Sequence, residues 1–428
     1  MTRLKQGRNG TFGIDLWATI AAYALALLMI VLATQLHAQT HIPLHHFTNT
    51  PDGWEPWGGL VMDQAGNLYG ATQYGGADHQ GFVFKMVPKG SGWVVYPLYS
   101  FQGGQDGSEP MARLTIGPDG SLYGTTTLGG ASGCCGNGTV FNLKPPPGVC
   151  KSFICPWTET VLYRFSGDSD GGQPEAPVIF DQAGNIYGTT VYGGSANDGV
   201  VFKLTKSGSG WTESVLHSFT NSPDGEYPAG GLVFDQAFNL YGTTAGGGEP
   251  DGGTVFKLTP SGAGWTETVI HSFDGNTEGG GPRGGVIFDP AGNLYGTTPF
   301  GPIANGSVYE LTPSGGQWNY SLLYALTSGP DGVPGPLGPL AIDAAGNLYG
   351  TTYQGGDVYG VTCEYGCGSV FRLAPSGGGW VYSLLYAFLD TDDDFPVDGP
   401  ILDQSGNLYG TASGTFGGYG GGVWEITP

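Results

Sequence analysis

Asp343-Ala-Ala-Gly-Asn-Leu-Tyr-Gly-Thr-Thr352 decides the fold, because close copies of it occur seven times in the 428-residue chain. The copies begin at Asp63, Gly117, Asp181, Asp235, Asp289, Asp343 and Asp403, and their tyrosines are Tyr69, Tyr123, Tyr187, Tyr241, Tyr295, Tyr349 and Tyr409. By subtraction the tyrosines stand 54, 64, 54, 54, 54 and 60 residues apart. A period this regular marks a repeat architecture, in which one supersecondary unit is copied and stacked.

Each unit contains four strand-like runs. In the fourth repeat they are Gly230–Asp235, Leu240–Thr244, Thr254–Leu258 and Trp265–Phe273. The runs are rich in Val, Phe, Tyr, Trp and Thr, and Gly, Pro, Asp and Asn bound them, which is the signature of short strands joined by tight turns. Gly66-Asn67 and its equivalents suit the positive φ of hairpin loops. The Asp-x-x-Gly-Asn string is expected to be structural, with Asp63 and its equivalents accepting hydrogen bonds from turn amides. Four antiparallel strands in roughly fifty residues make one propeller blade.

The ends of the chain indicate a ring. The seventh repeat stops after its third run, Val423–Ile426, and Pro43–Phe47 matches the missing fourth run of the other repeats. The expected fold is therefore all-β, a seven-bladed β-propeller of four-stranded blades, closed by pairing the N-terminal strand into the last blade. Closure removes exposed sheet edges, which otherwise invite aggregation.

Composition narrows the partners. The net charge is −22, with 14 Lys and Arg against 36 Asp and Glu. Nucleic acid is excluded by that balance, since phosphate binding needs clustered cations. Protein or glycan partners remain, reached through the loop face, by a chain expected to work as a monomer.

Residues 1–38 read as an export signal: Arg3, Lys5 and Arg8 precede an uncharged run from Trp17 to Ala33, with cleavage placed near Ala38. An uncleaved N-terminal anchor is the alternative, and the sole membrane attachment expected. Residues 39–428 then form one propeller domain. The six cysteines, Cys134, Cys135, Cys150, Cys155, Cys363 and Cys367, fall only in the two long repeats. They are disulfide candidates in an oxidising compartment. Cys363 and Cys367 are placed to close their own loop, and the other four allow three pairings.

The strings Gly-Asn-Leu-Tyr-Gly-Thr-Thr, Gly-Thr-Val-Phe-Lys-Leu and Trp-Thr-Glu-Thr-Val-Leu-Tyr resemble the GloVer tandem repeat of choice-of-anchor proteins of bacteria. The likeness runs from about residue 41 to 428. It implies an exported bacterial protein with a propeller-like body, and brings with it no enzymatic activity and no ligand. The family is named for varied C-terminal sorting anchors, whereas this sequence reaches Pro428 without a hydrophobic tail. More loosely, the turn is similar to that of NHL-type propellers, which include binding modules and lactonases.

No catalytic constellation stands out. The segments expected at the axis are Gly58-Gly59, Ala112-Arg113, Ala176-Pro177, Gly230-Gly231, Gly284-Gly285, Gly338-Pro339 and Gly399-Pro400, with charge from Arg113 and Arg283 alone. His217 and His271 occupy the place of Tyr99, Tyr163, Tyr324 and Tyr386, which points to a structural role. No cofactor is expected. Alternate carboxylates at Asp390, Asp392 and Asp394 are candidate calcium ligands, with a solvated acidic loop as the simpler reading. The sequence favours a non-enzymatic exported module that binds protein or glycan. The alternatives are a secreted propeller enzyme (a lactonase, or a glycan-active hydrolase or lyase) with a loop-built site, and a structural envelope or matrix component.

Overall fold

The computed structural model describes residues 39–48, 52–131, 136–147, 157–262, 264–301, 305–327, 335–356, 363, 366–389, 394–414 and 420–427. Residues 1–38, Cys134, Cys135, Cys150, Cys155, Asp390 and Asp392 lie outside them. Seven four-stranded antiparallel sheets follow one another along the chain, and they form the expected seven-bladed ring. The described residues contain no α-helix, only one 3-10 turn at Gly104–Asp106.

Blade 4 shows the common plan. Val233–Phe234 is innermost, followed outward by Leu240–Thr244, Thr254–Ser261 and Gly264–Ser272. The inner strand is shorter than the run read from sequence. Residues 230–232 reach the axis as irregular backbone.

Most of the repeated string has a physical task. Asp235 Oδ1 accepts from the Ala237 and Asn239 amides at 2.8 and 2.9 Å, and Oδ2 accepts from Asn239 Nδ2 at 2.6 Å and the Tyr241 hydroxyl at 3.1 Å. Burial alone would raise this carboxyl, but those four bonds outweigh it and hold the carboxyl below its ordinary value. Blade 2 has Gly117 in place of the Asp, and Asp119 takes over, accepting from Ser121 and Tyr123. Leu240 is fully buried. Gly242 lies opposite Phe256 in the neighbouring strand, where a β-carbon would come within 2.6 Å of the ring. The second Thr, Thr244, donates to Gly246 O at 3.0 Å and closes its own loop.

The core lies between blades. One cluster joins Tyr187 and Val201 of blade 3 to Phe219, Leu232, Leu240, Phe256 and Leu258 across the seam, with Trp265 packed against it. Trp265, Trp318 and Trp380 each meet the repeat tyrosine of the preceding blade edge-on, at 6.2, 5.9 and 6.0 Å. These aromatics are packing elements.

The ring closes as expected. Thr40–His46 pairs antiparallel with Gly422–Thr427, from Thr40 opposite Thr427 to His46 opposite Gly422. Phe47 follows, 2% exposed, its amide donating to Gly421 O at 2.8 Å. Removing residues 39–47 strips this strand and its Phe anchor from blade 7. Phe-to-Ala truncation in a core alone costs about 3–5 kcal/mol, so the shortened protein is expected to melt roughly ten degrees lower or more. An unchanged melting curve would rule out closure.

One turn departs from the repeat. Six blades place Gly66, Gly120, Gly184, Gly292, Gly346 and Gly406 at φ between 76° and 90°, but blade 4 has Phe238 at φ 62°. The left-handed region costs a bulky L-residue about 1–2 kcal/mol, and Phe238 remains 41% exposed. Phe238→Gly is expected to raise the unfolding free energy by about 1 kcal/mol in denaturant titrations. A loss of stability would show that the Phe side chain contributes more than its backbone costs.

Candidate functional site

Six of the inner strands are preceded by an intact residue series at the axis: Trp57, Met111, Glu175, Ala229, Arg283 and Leu337. Val397 continues it in blade 7. Together with the residues that follow, they line a cavity of about 530 Å³ on the ring axis. Backbone bonds fix its wall. The first Thr of the string donates across the seam to the next blade's lining segment: Thr125 to Ala176 O, Thr189 to Gly230 O, Thr297 to Gly338 O and Thr351 to Asp398 O, at 3.0–3.4 Å. In blade 4 the equivalent Thr243 is buried without such a partner.

Two residues before the lining series, Glu55, Glu109, Gln173, Tyr227 and Phe395 all adopt positive φ. Their amides donate to Gly420, Gln80, Asn137, Asp198 and Cys367 carbonyls of the preceding blade. Their own carbonyls accept from Gln73, Thr127, Val191, Ala245 and Ser413. Strained backbone persists only where its surroundings over-determine it, and it concentrates at functional sites. Here ten amide bonds hold the rim around the axial cavity.

The cavity is amphipathic. Its walls are mainly Met111, Leu232, Val286, Leu340 and the half-buried indole of Trp57, and its charged groups are Arg113, Glu175, Arg283 and Asp398. Arg113 Nε and Nη2 both lie 2.9 Å from Asp398 Oδ2, and Nη2 donates to Gly399 O at 2.6 Å. This couple joins blade 2 to blade 7 across blade 1, where Gly58-Gly59 carries no side chain. A β-carbon on Gly59 would overlap the Asp398 carboxylate. Burial pushes the Glu175 carboxyl up, and Arg283 opposes that shift.

Sequence reasoning placed Arg113 and Arg283 at the axis correctly and missed Glu175 and Asp398. The signal was there for Glu175: it holds the position of Arg283 two repeats earlier. Asp398 was missed because Gly399-Pro400 was taken as the lining pair of blade 7, whereas the register of the other blades aligns Asp398-Gly399, so Asp398 stands where they have Gly or Ala.

The histidines are structural, as expected. His217 Nε2 lies 2.8 Å from Asp224, reproducing the bonds of Tyr99 to Asp106 and Tyr163 to Asp170, both 2.9 Å. The residue after each of these acids is Gly107, Gly171 or Gly225, and each is packed against a Thr of the next blade, Thr126, Thr190 or Thr244. The Asp-Gly pairs thus clasp neighbouring blades. In the fourth junction the clasp is Glu278-Gly279, with His271 at 3.2 Å from Glu278.

Cys363 and Cys367 form a disulfide that closes their own loop. Asp394 is 2% exposed, with Oδ2 3.6 Å from Cys363 Sγ. It belongs to the packing around that disulfide and not to a solvated loop. Among the described residues, Cys363, Cys367 and Asp394 are also the one cluster of metal-type side chains, and their sulfurs are committed to each other.

Models of the Gloeobacter/Verrucomicrobia repeat match residues 31–155, 152–362 and 266–428. The chain belongs to this family. No curated protein matches the sequence. Among solved structures, the chain is similar to a candidate 6-phosphogluconolactonase from Bacteroides uniformis ATCC 8492, with 14% identity, 82% of this chain and 89% of that one covered, and a TM-score of 0.51. It is also similar to a candidate oxidoreductase (glucose dehydrogenase) from Thermus thermophilus, with 17% identity, coverage of 73% and 95%, and a TM-score of 0.43. A protein of unknown function from Dyadobacter fermentans DSM 18053 matches with 10% identity, coverage of 90% and 99%, and a TM-score of 0.41. At 14% identity the likeness to the first of these is one of fold alone. The family and the disulfide are consistent with an exported protein.

Glu159, Glu213 and Glu267 recur on the outer strands of blades 2, 3 and 4, each with one carboxylate oxygen shut from solvent without a partner. Burial pushes each carboxyl up to about 7, and Asp106, Asp170 and Asp224 respectively push the same way, with Arg164 opposing at Glu159. Such groups bind protons in the fold that the unfolded chain has released, so their contribution is full below about pH 4.5 and is lost as the pH rises through about 7. His271, which burial pushes down to about 4, acts in the opposite sense: its contribution is lost as the pH falls below 6.5 toward 4. The E159Q/E213Q/E267Q variant is expected to melt several degrees above the parent at pH 8 and close to it at pH 4.5. An equal offset at both pH values would exclude titration of these carboxyls.

Proposed function

We propose that this protein is an exported propeller module that binds a small carbohydrate in its axial cavity without transforming it. The observation that carries the reading is the cavity itself. It combines apolar walls, one indole and four convergent charged groups on a rim fixed by amide bonds. Ligand sites are concave and mostly apolar with a few placed polar groups. Sugars present both apolar C–H faces and hydroxyls, and match such a lining. Binding is favoured over catalysis because Asp398 is held by Arg113, and among the described residues the cavity lining contains no His, Cys or Ser to act as nucleophile or base.

A second reading, a secreted hydrolase or lyase, draws on Glu175. Its raised carboxyl suits a general acid. Turnover of an oligosaccharide that stops in E175Q would favour it.

Binding is tested with residues 39–428 by following tryptophan fluorescence on titration with mono- and disaccharides. A response that saturates in the parent is expected to vanish in Trp57→Phe. Calorimetry is expected to show at least a ten-fold loss of affinity in Ala229→Trp, whose side chain fills the cavity. Unchanged binding in Ala229→Trp would place the ligand elsewhere.

A further inference from the structure

The axial cavity holds two acid–arginine couples, each spanning one intervening blade, and only one of them is bonded. The first joins Arg113 and Asp398, from blades 2 and 7, across the Gly58-Gly59 of blade 1. Three contacts of 2.6–2.9 Å engage Nε and Nη2 of the guanidinium. The second sets Glu175 of blade 3 against Arg283 of blade 5, across the Ala229-Gly230-Gly231 of blade 4. Those two groups feel each other's charge, but no hydrogen bond or ion pair joins them among the described residues. Arg283 is exposed, Glu175 is half-buried, and the residues between them are the smallest available.

We infer that the axial ligand carries a carboxylate, that Arg283 is its anchor, and that Glu175 receives a neighbouring hydroxyl; this rests on the axial-binding reading above. The closed couple shows the geometry within the same cavity. There a carboxylate oxygen meets two guanidinium nitrogens, as planar Arg–carboxylate recognition requires. The open couple offers the same donor set with the acid held away from it. Two arginines line the cavity, and among the described residues Arg283 is the one without a bonded acid. The chain has only 14 Lys and Arg against 36 acids, yet this cation is left without a bonded acid inside a cavity. The ligand class is therefore the acidic sugars: uronic acids, or the ends of polyuronide chains.

The test compares D-galacturonate and D-glucuronate with their methyl esters, which are neutral and nearly the same shape, by calorimetry on residues 39–428 at low and high salt. The acids are expected to bind at least ten-fold more tightly than the esters at low salt. Arg283→Gln is expected to bring acid and ester to equal affinity. E175Q is expected to tighten the acid several-fold, by removing the competing carboxylate, and to leave the ester unchanged or weaker. A melting curve confirms that both variants fold. Equal affinity for acid and ester in the parent, or a preference for acid that survives Arg283→Gln, overturns the inference and leaves axial binding standing. Failure of every acid and ester to bind overturns both.

Discussion

Closure of the ring by Thr40–His46 against Gly422–Thr427 is the constraint on which the rest depends. Each blade buries its apolar residues against its neighbours, so a blade with a missing neighbour exposes half of its core. The closing strand gives blade 7 its outer edge and places Phe47 against Phe84 of blade 1, with ring centroids 5.2 Å apart. The axis depends on the same event. Arg113 and Asp398 stand 285 residues apart in sequence. They meet only because the last blade is brought back beside the first.

On this frame, function is to be sought where the repeats differ. Asp235, Asn239, Tyr241 and Gly242 recur because each satisfies a local demand: turn amides, a buried hydroxyl, or room for a facing ring. The lining series Trp57, Met111, Glu175, Ala229, Arg283, Leu337 does not repeat at all, although its backbone is held by repeated bonds. A symmetric scaffold therefore presents an asymmetric ring of side chains, with one acid–arginine couple shut and one open. The same contrast separates the two kinds of aromatic residue. Trp265, Trp318 and Trp380 recur and pack between blades, whereas Trp57 occurs once and faces the cavity.

The fold was legible because the period, the turn chemistry and the permuted ends all pointed one way. Residues 40–46 lie where the missing fourth run required them. Much less of the site was legible. A strand's facing can be read from alternation, but the lining series sits in irregular backbone just before the inner strands. Nothing in the pattern there tells a side chain at the axis from one beside it. Glu175 was recoverable by aligning it with Arg283. Asp398 was recoverable too, since counting back from Asp403 puts it where the other blades have Gly or Ala. Asp394 read as a solvated acid and is buried, because the fold sets it against the Cys363–Cys367 loop, a contact no local pattern encodes.

The cavity brings these strands of reasoning to one place, since it exists only in the closed ring and takes its character from the residues that break the repeat. The most direct measurement is a crystal structure of residues 39–428 grown with D-galacturonate. The account predicts ligand density on the axis, between Glu175 and Arg283, with the carboxylate on Arg283 and the Arg113–Asp398 couple intact. Density at any other surface, or an axis that stays empty at saturating ligand, would contradict it.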